Sequence, residues 1–311
     1  MTLHQASGRW RLGLLLALIT AACWASLPIA LKVTLEQLDA ITLTWFRFLV
    51  ATIVMLVWLS WRGGLSVFKT LDARRWWHLT AAAFLLIGNY VFYLLGVQYT
   101  TPANAQLLIQ LAPLLMALGG IFIFREIYQF GQWFGLVIIA CGLLLFFSDQ
   151  IKETSASAHA YYLGSAFVIF GAFVWAGYAL IQKQLLLRMS SQTILFFIYA
   201  VATVILLPFS HPQKILQLDQ HHAWALAYCA INTLIAYGAF AEALVHWQAS
   251  RVSAILAVTP LLCLACVAIV HAMSPGIIAS EHVTALGYIG AALVVAGSSL
   301  SSLMGQKKTE Q

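Results

Sequence analysis

Apolar positions run along this chain in long unbroken blocks, and polar residues are confined to the short gaps between them. Ten such blocks predict helices at about 11–33, 40–61, 76–98, 102–124, 130–148, 160–183, 192–210, 223–247, 252–273 and 282–304. A block of about 20 apolar residues, rising about 1.5 Å per residue, covers the hydrocarbon core of a bilayer. No gap exceeds about 15 residues, so no soluble domain is predicted. Two blocks carry a proline in mid-span: residues 102–126 contain Pro113, and residues 249–270 contain Pro260. The first block follows Arg9 and Arg11, and Ala21-Ala22-Cys23 has the look of a lipoprotein cleavage site. The apolar run continues through Leu31, which is too long for a signal peptide. It is expected to be the first span.

Composition agrees with the blocks. The chain has 311 residues, 62% hydrophobic and 8% charged. Soluble domains carry roughly 25% charge, so the reading is an all-α polytopic membrane protein. The net charge of +6 reports topology, since no basic stripe interleaved with aromatics offers itself to nucleic acid. With the N-terminus in the cytoplasm, 12 of the 16 Lys and Arg residues fall in inside segments, and only Lys32, Lys152 and Lys214 fall outside. The positive-inside rule then places both termini in the cytoplasm. Trp58, Trp61, Trp76 and Trp77 sit at that face as expected interface anchors. The five cysteines lie within apolar spans and imply no disulfide framework. The Cys263/Cys266 pair has neither a second pair nor a nearby His, so neither a metal nor a cofactor is expected.

The blocks repeat. Adding 151 maps Gly13, Trp24, Ala25 and Lys32 onto Gly164, Trp175, Ala176 and Lys183, and Val50-Ala51-Thr52 onto Val201-Ala202-Thr203. Adding 147 maps Leu79, Ala83, Tyr90 and Pro113-Leu114-Leu115 onto Leu226, Ala230, Tyr237 and Pro260-Leu261-Leu262. Adding 155 maps Glu126, Gly135 and Gly142 onto Glu281, Gly290 and Gly297. Five spans is an odd number, so the second copy lies upside down relative to the first. The prediction is two five-helix inverted-topology repeats, residues 1–150 (helices 1–5) and 151–311 (helices 6–10). Transporters recurrently use this design, with the site near the midplane between the repeats.

These features together resemble the drug/metabolite transporter superfamily, EamA type. The residues that carry the resemblance are Trp24-Ala25, Arg47, the Pro113 span running into Arg125-Glu126, Gly135 and Gly142, Glu242-Ala243-Leu244, and Pro260. Eight extra residues before Glu281 depart from the pattern and leave that Glu without an assigned role. The resemblance implies a ten-helix carrier in the cytoplasmic (inner) membrane of a bacterium. Members of the superfamily export amino acids and related metabolites, or carry sugars and nucleotide-sugars.

Candidate site residues follow from the cost of polar groups in a bilayer. Glu242 lies well inside span 8, with His246 at i+4 on the same face and Gly238 four residues before. Burial would raise the carboxyl pKa, and the pair could couple protons, bind a substrate amine or brace a neighbouring helix. Arg47, about two turns into span 2, could meet a substrate carboxylate, snorkel to the interface or bind helix carbonyls. Gln106, Gln110 and Pro113 fall at i, i+4 and i+7, matched by Ser253, Ala257 and Pro260. Each proline frees a carbonyl four residues back that would need a partner or line a path. Trp24 with Trp175 and Tyr90 with Tyr237, joined by Asn89, Tyr93 and Tyr178, could form an aromatic pocket for an amphipathic solute or simply pack. His211, His221 and His222 are placed in an outer loop with no metal role.

The expected function is a secondary transporter of amino acids or related small metabolites by alternating access, with proton coupling an open possibility. No GxxxxGK[ST] is present for ATP, and the spans hold no HExxH, GxSxG or paired Asp of an enzyme. A lipid or lipid-linked-sugar flippase, and a nucleotide-sugar or drug carrier, are the alternatives. The partners are a small-molecule solute and membrane lipid, not nucleic acid. Monomer and homodimer are both open, as are the solute, the coupling ion and the direction of transport.

Overall fold

A computed structural model describes residues 9–124, 128–153, 158–186, 189–247, 249–278 and 283–304, and every regular element among them is helical. The α-helices in order are α1 (Trp10–Thr34), α2 (Ala40–Trp61), α3 (Ala73–Tyr99), α4 (Pro102–Leu108), α5 (Leu111–Phe124), α6 (Phe130–Glu153), α7 (Ala158–Leu185), α8 (Ser191–Leu206), the short α9 (Pro212–Ile215), α10 (Gln220–His246), α11 (Ala249–Leu256), α12 (Thr259–Met273) and α13 (Ala285–Met304). Short 3-10 turns at Gly64–Thr70 and Leu207–Phe209 complete the set.

Helix starts are written locally. Asp39, Asp72, Thr101, Ser190 and Asp219 each sit in extended backbone, and each side chain accepts from a main-chain N–H of the first turn. Those donors have no intrahelical acceptor, so a short oxygen-bearing side chain satisfies them. At the far end of α3, Lys32 of α1 does the converse. Its ammonium donates to the carbonyls of Val97, Gln98 and Thr100 at 2.9, 2.7 and 2.7 Å. A cation on the orphan carbonyls of a helix C-terminus is favourable both as hydrogen bonding and against the helix dipole.

The expected uniform spans need one correction. Among the described residues eight helical stretches are long and apolar enough to cross a membrane, Val252–Met273 counted across a break in it, while Leu114–Ile123 and Ala285–Ser301 are shorter apolar helices. The fourth predicted span is broken between α4 and α5, and the ninth between α11 and α12. The breaks stand three and two residues before Pro113 and Pro260 respectively. A proline lacks the N–H that would continue the ladder, and its ring clashes with the carbonyl one turn back. It is tolerated in the first turn of a new helix, which is where both prolines lie.

Packing runs helix against helix in antiparallel pairs: α1 along α10, α3 along α7, α2 along α8 and α6 along α13. In addition α5 lies on α7, and α12 on α1. The α6–α13 pair is the tightest. A Cβ at Gly135 would stand 2.7 Å from the Gly297 carbonyl oxygen, and one at Gly142 would stand 2.7 Å from that of Gly290. Only a residue without a Cβ lets two backbones approach so closely. The α3–α7 and α1–α10 seams carry polar bonds at matched heights. Asn89 Nδ2 donates to the Gly171 carbonyl at 2.9 Å, and Thr20 Oγ1 donates to the Ala236 carbonyl at 3.4 Å. Residues that the sequence offsets relate also meet each other. The Tyr90 hydroxyl donates to that of Tyr237 at 3.1 Å, and the Thr52 and Thr203 hydroxyls stand 3.2 Å apart.

Candidate functional site

The predicted aromatic residues and Arg47 come together in the middle of the bundle. Arg47 sits on α2 seven residues past its start, about 10 Å along the axis. It is 2% exposed. Its Nε donates to Thr233 Oγ1 at 3.1 Å, and its guanidinium lies over the Tyr90 ring, 5.1 Å from the centroid. It neither snorkels nor bonds a helix carbonyl, which corrects two of its expected uses. Among the described residues no carboxylate pairs with it, and its terminal nitrogens make no hydrogen bond. A buried cation costs several kcal/mol to desolvate. A cation–π contact returns about 2 kcal/mol and a charged hydrogen bond about 1.5–3 kcal/mol. The neighbours seen therefore leave this charge undercompensated.

Tyrosines surround it. Phe48 bridges Tyr90 and Tyr199, with ring centroids 4.7 and 5.3 Å away. Tyr178 packs in the same buried cluster, with Trp175 against its edge. The Tyr199 hydroxyl is buried and makes no hydrogen bond inside 3.5 Å among the described residues, with only a looser approach to the Tyr90 hydroxyl. Trp24 stands edge-on to Tyr237 at 5.8 Å and beside Phe240 at 5.6 Å. Trp175 is a half-buried neighbour of the tyrosine cluster, and among the described residues no ring contact joins it to Trp24. Asn89 faces the Gly171 carbonyl in the α3–α7 seam and takes no part in the tyrosine cluster.

The proposed Gln106–Gln110–Pro113 stripe is not continuous, because the helix breaks within it. Gln106 is buried on α4 and accepts from the Tyr93 hydroxyl at 2.9 Å. Gln110 lies in the break, half-buried. The carbonyls freed by the prolines are also taken. Ile109 O accepts from the Ala112 N–H at 2.9 Å, and Leu256 O accepts from Thr259 Oγ1. They do not line a path, because a 3-10 bond and a hydroxyl close each break locally. The Pro113 side chain, Arg125, Glu126 and Glu281 lie outside the described residues.

Glu242 and His246 do meet, Oε1 to Nε2 at 3.1 Å. The carboxylate is 58% exposed and the imidazole 11% exposed. The expectation of a Glu enclosed by protein is therefore corrected. The α10 face that carries it has open space at Gly238, where no heavy atom lies within 4 Å of a built Cβ. His246 is the packed member of the pair.

Sequence reasoning missed a polar latch between the 35–39 turn and the segment from His211 to His222. Gln37 Nε2 donates to Asp219 Oδ2 at 2.7 Å, and the His211 N–H donates to Thr42 Oγ1 at 2.9 Å. His222 stands between Asp219 and Glu36, at 2.8 and 3.3 Å, and Lys214 Nζ lies 3.7 Å from Asp39. Hydrogen bonds from the His222 main chain and ring hold Asp219 well below the usual carboxylate range. For Asp39 partial burial works the other way, but the Thr42 bonds and the Lys214 charge outweigh it and the carboxyl is lowered. The available signal was an acidic turn and a His/Lys-rich loop predicted on one side of the membrane. Tyr199 and Thr233 gave none, since either reads as an ordinary apolar-span residue. Among the described residues no cluster of His, Cys, Asp or Glu could hold a metal ion.

The chain is similar to known membrane proteins throughout its length. It is 37% identical to the uncharacterized inner membrane transporter YhbE of Escherichia coli (strain K12), over 94% of this chain and 91% of that one. It is 33% identical to an uncharacterized transporter of Haemophilus influenzae, over 94% of this chain and 95% of that one. At 21% identity, over 91% and 92% of the two chains, it is similar to an Escherichia coli protein named "Probable amino-acid metabolite efflux pump". One solved crystal structure has the same fold, with a TM-score of 0.62 at 18% identity over 95% of this chain and 98% of that one. The model of the EamA-like transporter family matches twice, over residues 11–148 and 162–303. This apolar, all-helical integral membrane protein accordingly belongs to the EamA-like transporter family.

Proposed function

We propose that the chain is a secondary, non-ATP-driven exporter of amino acids or related small metabolites. It works by alternating access between two inverted five-helix repeats, residues 1–150 and 151–311, in the inner membrane with both termini in the cytoplasm. One observation carries this reading: residues related by the repeat offsets touch their own counterparts, Tyr90 on Tyr237 and Thr52 on Thr203. Contacts between equivalent residues are what a two-fold axis between the repeats would produce. The glycine crossing agrees, since Gly135 faces Gly297 and Gly142 faces Gly290, the arrangement that such an axis generates. The double family match gives further support.

The packing is also lopsided in the way alternating access requires. α4 packs on α12, whereas its counterpart contact between α11 and α5 is not comparably formed among the described residues. The latch closes the same end as the α4–α12 contact. With both termini inside, this is a conformation closed to the outside. Glu242 and His246, near the opposite end, are the groups through which a proton gradient would act. The distant relative's name supports an amino-acid-type solute.

Purified protein in liposomes, loaded with an amino-acid mixture and assayed with and without a pH gradient, tests the reading. Solute efflux is expected. Movement of a fluorescent lipid without solute flux would replace it with a flippase, and product formation without net flux would replace it with an enzyme.

A further inference from the structure

We propose that Arg47 and the hydroxyls of Tyr90, Tyr199 and Tyr237 form the subsite that receives a single carboxylate of the transported solute. The inference rests on the transporter reading and narrows it to acid-bearing solutes. Its first ground is the guanidinium itself, 2% exposed, held by Thr233 through Nε alone. The unused terminal nitrogens are the fork that matches a carboxylate with two parallel bonds. The second ground is independent. The Tyr199 hydroxyl is buried with no hydrogen bond inside 3.5 Å and only a looser approach to the Tyr90 hydroxyl, and buried polar groups in native structures nearly always have a well-formed bond. It belongs to the ring cluster around the same guanidinium, which lies over Tyr90; Phe48 joins Tyr90 to Tyr199, and the Tyr90 hydroxyl bonds that of Tyr237.

Charge fixes the class of ligand further. Arg47 is the cation set against this tyrosine cluster, over the Tyr90 ring, and among the described residues no carboxylate pairs with it. A single buried positive charge balances a monoanion. A phosphate or nucleotide would bring a second negative charge into this low-dielectric centre with nothing opposite it. Tyrosine hydroxyls can donate to the remaining carboxylate lone pairs. In the conformation seen, Thr233 of α10 holds the guanidinium of α2, so the solute reaches it when α2 and α10 part, beside the Tyr90–Tyr237 bond.

The test uses full-length protein and paired probes: leucine, phenylalanine and threonine, each with its carboxamide. Binding is followed by thermal shift and transport by counterflow in liposomes. The acids should be preferred over their amides by about tenfold or more, the scale of a charge-assisted hydrogen bond. Arg47→Gln should abolish the preference, and Arg47→Lys should keep part of it. Should Arg47→Gln fail to fold, Tyr199→Phe serves instead, with a loss of about tenfold for the acids and a smaller loss for the amides, the difference between a charged and a neutral acceptor. Amides recognised as well as acids, a preference that survives Arg47→Gln, or one left unchanged by Tyr199→Phe would overturn the subsite and leave the transporter standing. Neither binding nor flux of any probe would count against both.

Discussion

Replacing Gly297 by alanine is the sharpest test of the helix packing. The new Cβ would lie 2.6 Å from the Gly135 carbonyl oxygen and 2.8 Å from the Ile139 nitrogen. Ordinary contact begins at 3.4 Å, so α6 and α13 must part by about 0.8 Å. Both obstructing atoms are backbone, and no rotamer change relieves the clash. Overpacking of this kind costs about 1–3 kcal/mol, against which alanine's better helix propensity returns about 1 kcal/mol. Gly238→Ala provides the control, because nothing stands within 4 Å of its built Cβ. Thermal unfolding in detergent micelles should put Gly297→Ala a few degrees below wild type and Gly238→Ala at or above it, given about 2–4 °C per kcal/mol for large domains. Gly135→Ala added to Gly297→Ala should cost less than the sum, since both open one contact. A Gly297→Ala protein that melts with or above Gly238→Ala would refute the close approach.

Three further outcomes are expected. Glu242→Gln should keep solute flux but lose its pH dependence in a pH-jump liposome assay; unchanged pH dependence would leave Glu242 as no more than a partner of His246. Tyr90→Phe and Tyr237→Phe should show a coupling of about 0.5–1.5 kcal/mol in a double-mutant cycle of unfolding, the range for one interhelical hydrogen bond; additive losses would mean that the bond does not form. The latch carboxylates Asp39 and Asp219 have lowered pKa values, so their stabilisation is complete above the unfolded value of about 3.9 and is lost as pH falls through the folded one. Unfolding midpoints should therefore drop on acidification below about pH 4, and drop less in Asp219→Asn; equal acid sensitivity would remove Asp219 from the latch.

The sequence disclosed the helices well, because a bilayer demands long apolar blocks and little else. The starts after Asp39, Thr101 and Ser190 fall within one residue of the expected 40, 102 and 192, while those after Asp72 and Asp219 come three residues before the expected 76 and 223. The breaks at 109–110 and 257–258 were signalled by Pro113 and Pro260, but a proline can kink a helix or end it, and local pattern does not distinguish the two. The site was legible in part. Arg47, Tyr90 and Tyr237 stand out as an ionisable residue and a repeated aromatic. Tyr199 and Thr233 matter through Phe48 and Arg47, 151 and 186 positions away along the chain, and no periodicity carries that information. Glu242 shows the converse. Its sequence position suggested enclosure, and the space beside Gly238 decides otherwise.

The Tyr90–Tyr237 hydrogen bond has one more consequence. When two inverted halves exchange conformations, every off-axis contact becomes its mirror counterpart: Trp24 on Tyr237 gives way to Trp175 on Tyr90. A bond between equivalent residues maps onto itself. It is stationary under the exchange, intact in both end states, and marks a level that neither half has to vacate. The solute would then pass beside this pair of phenols, never between them, and the mutation that severs it should blur the two states into one another before it changes what is carried.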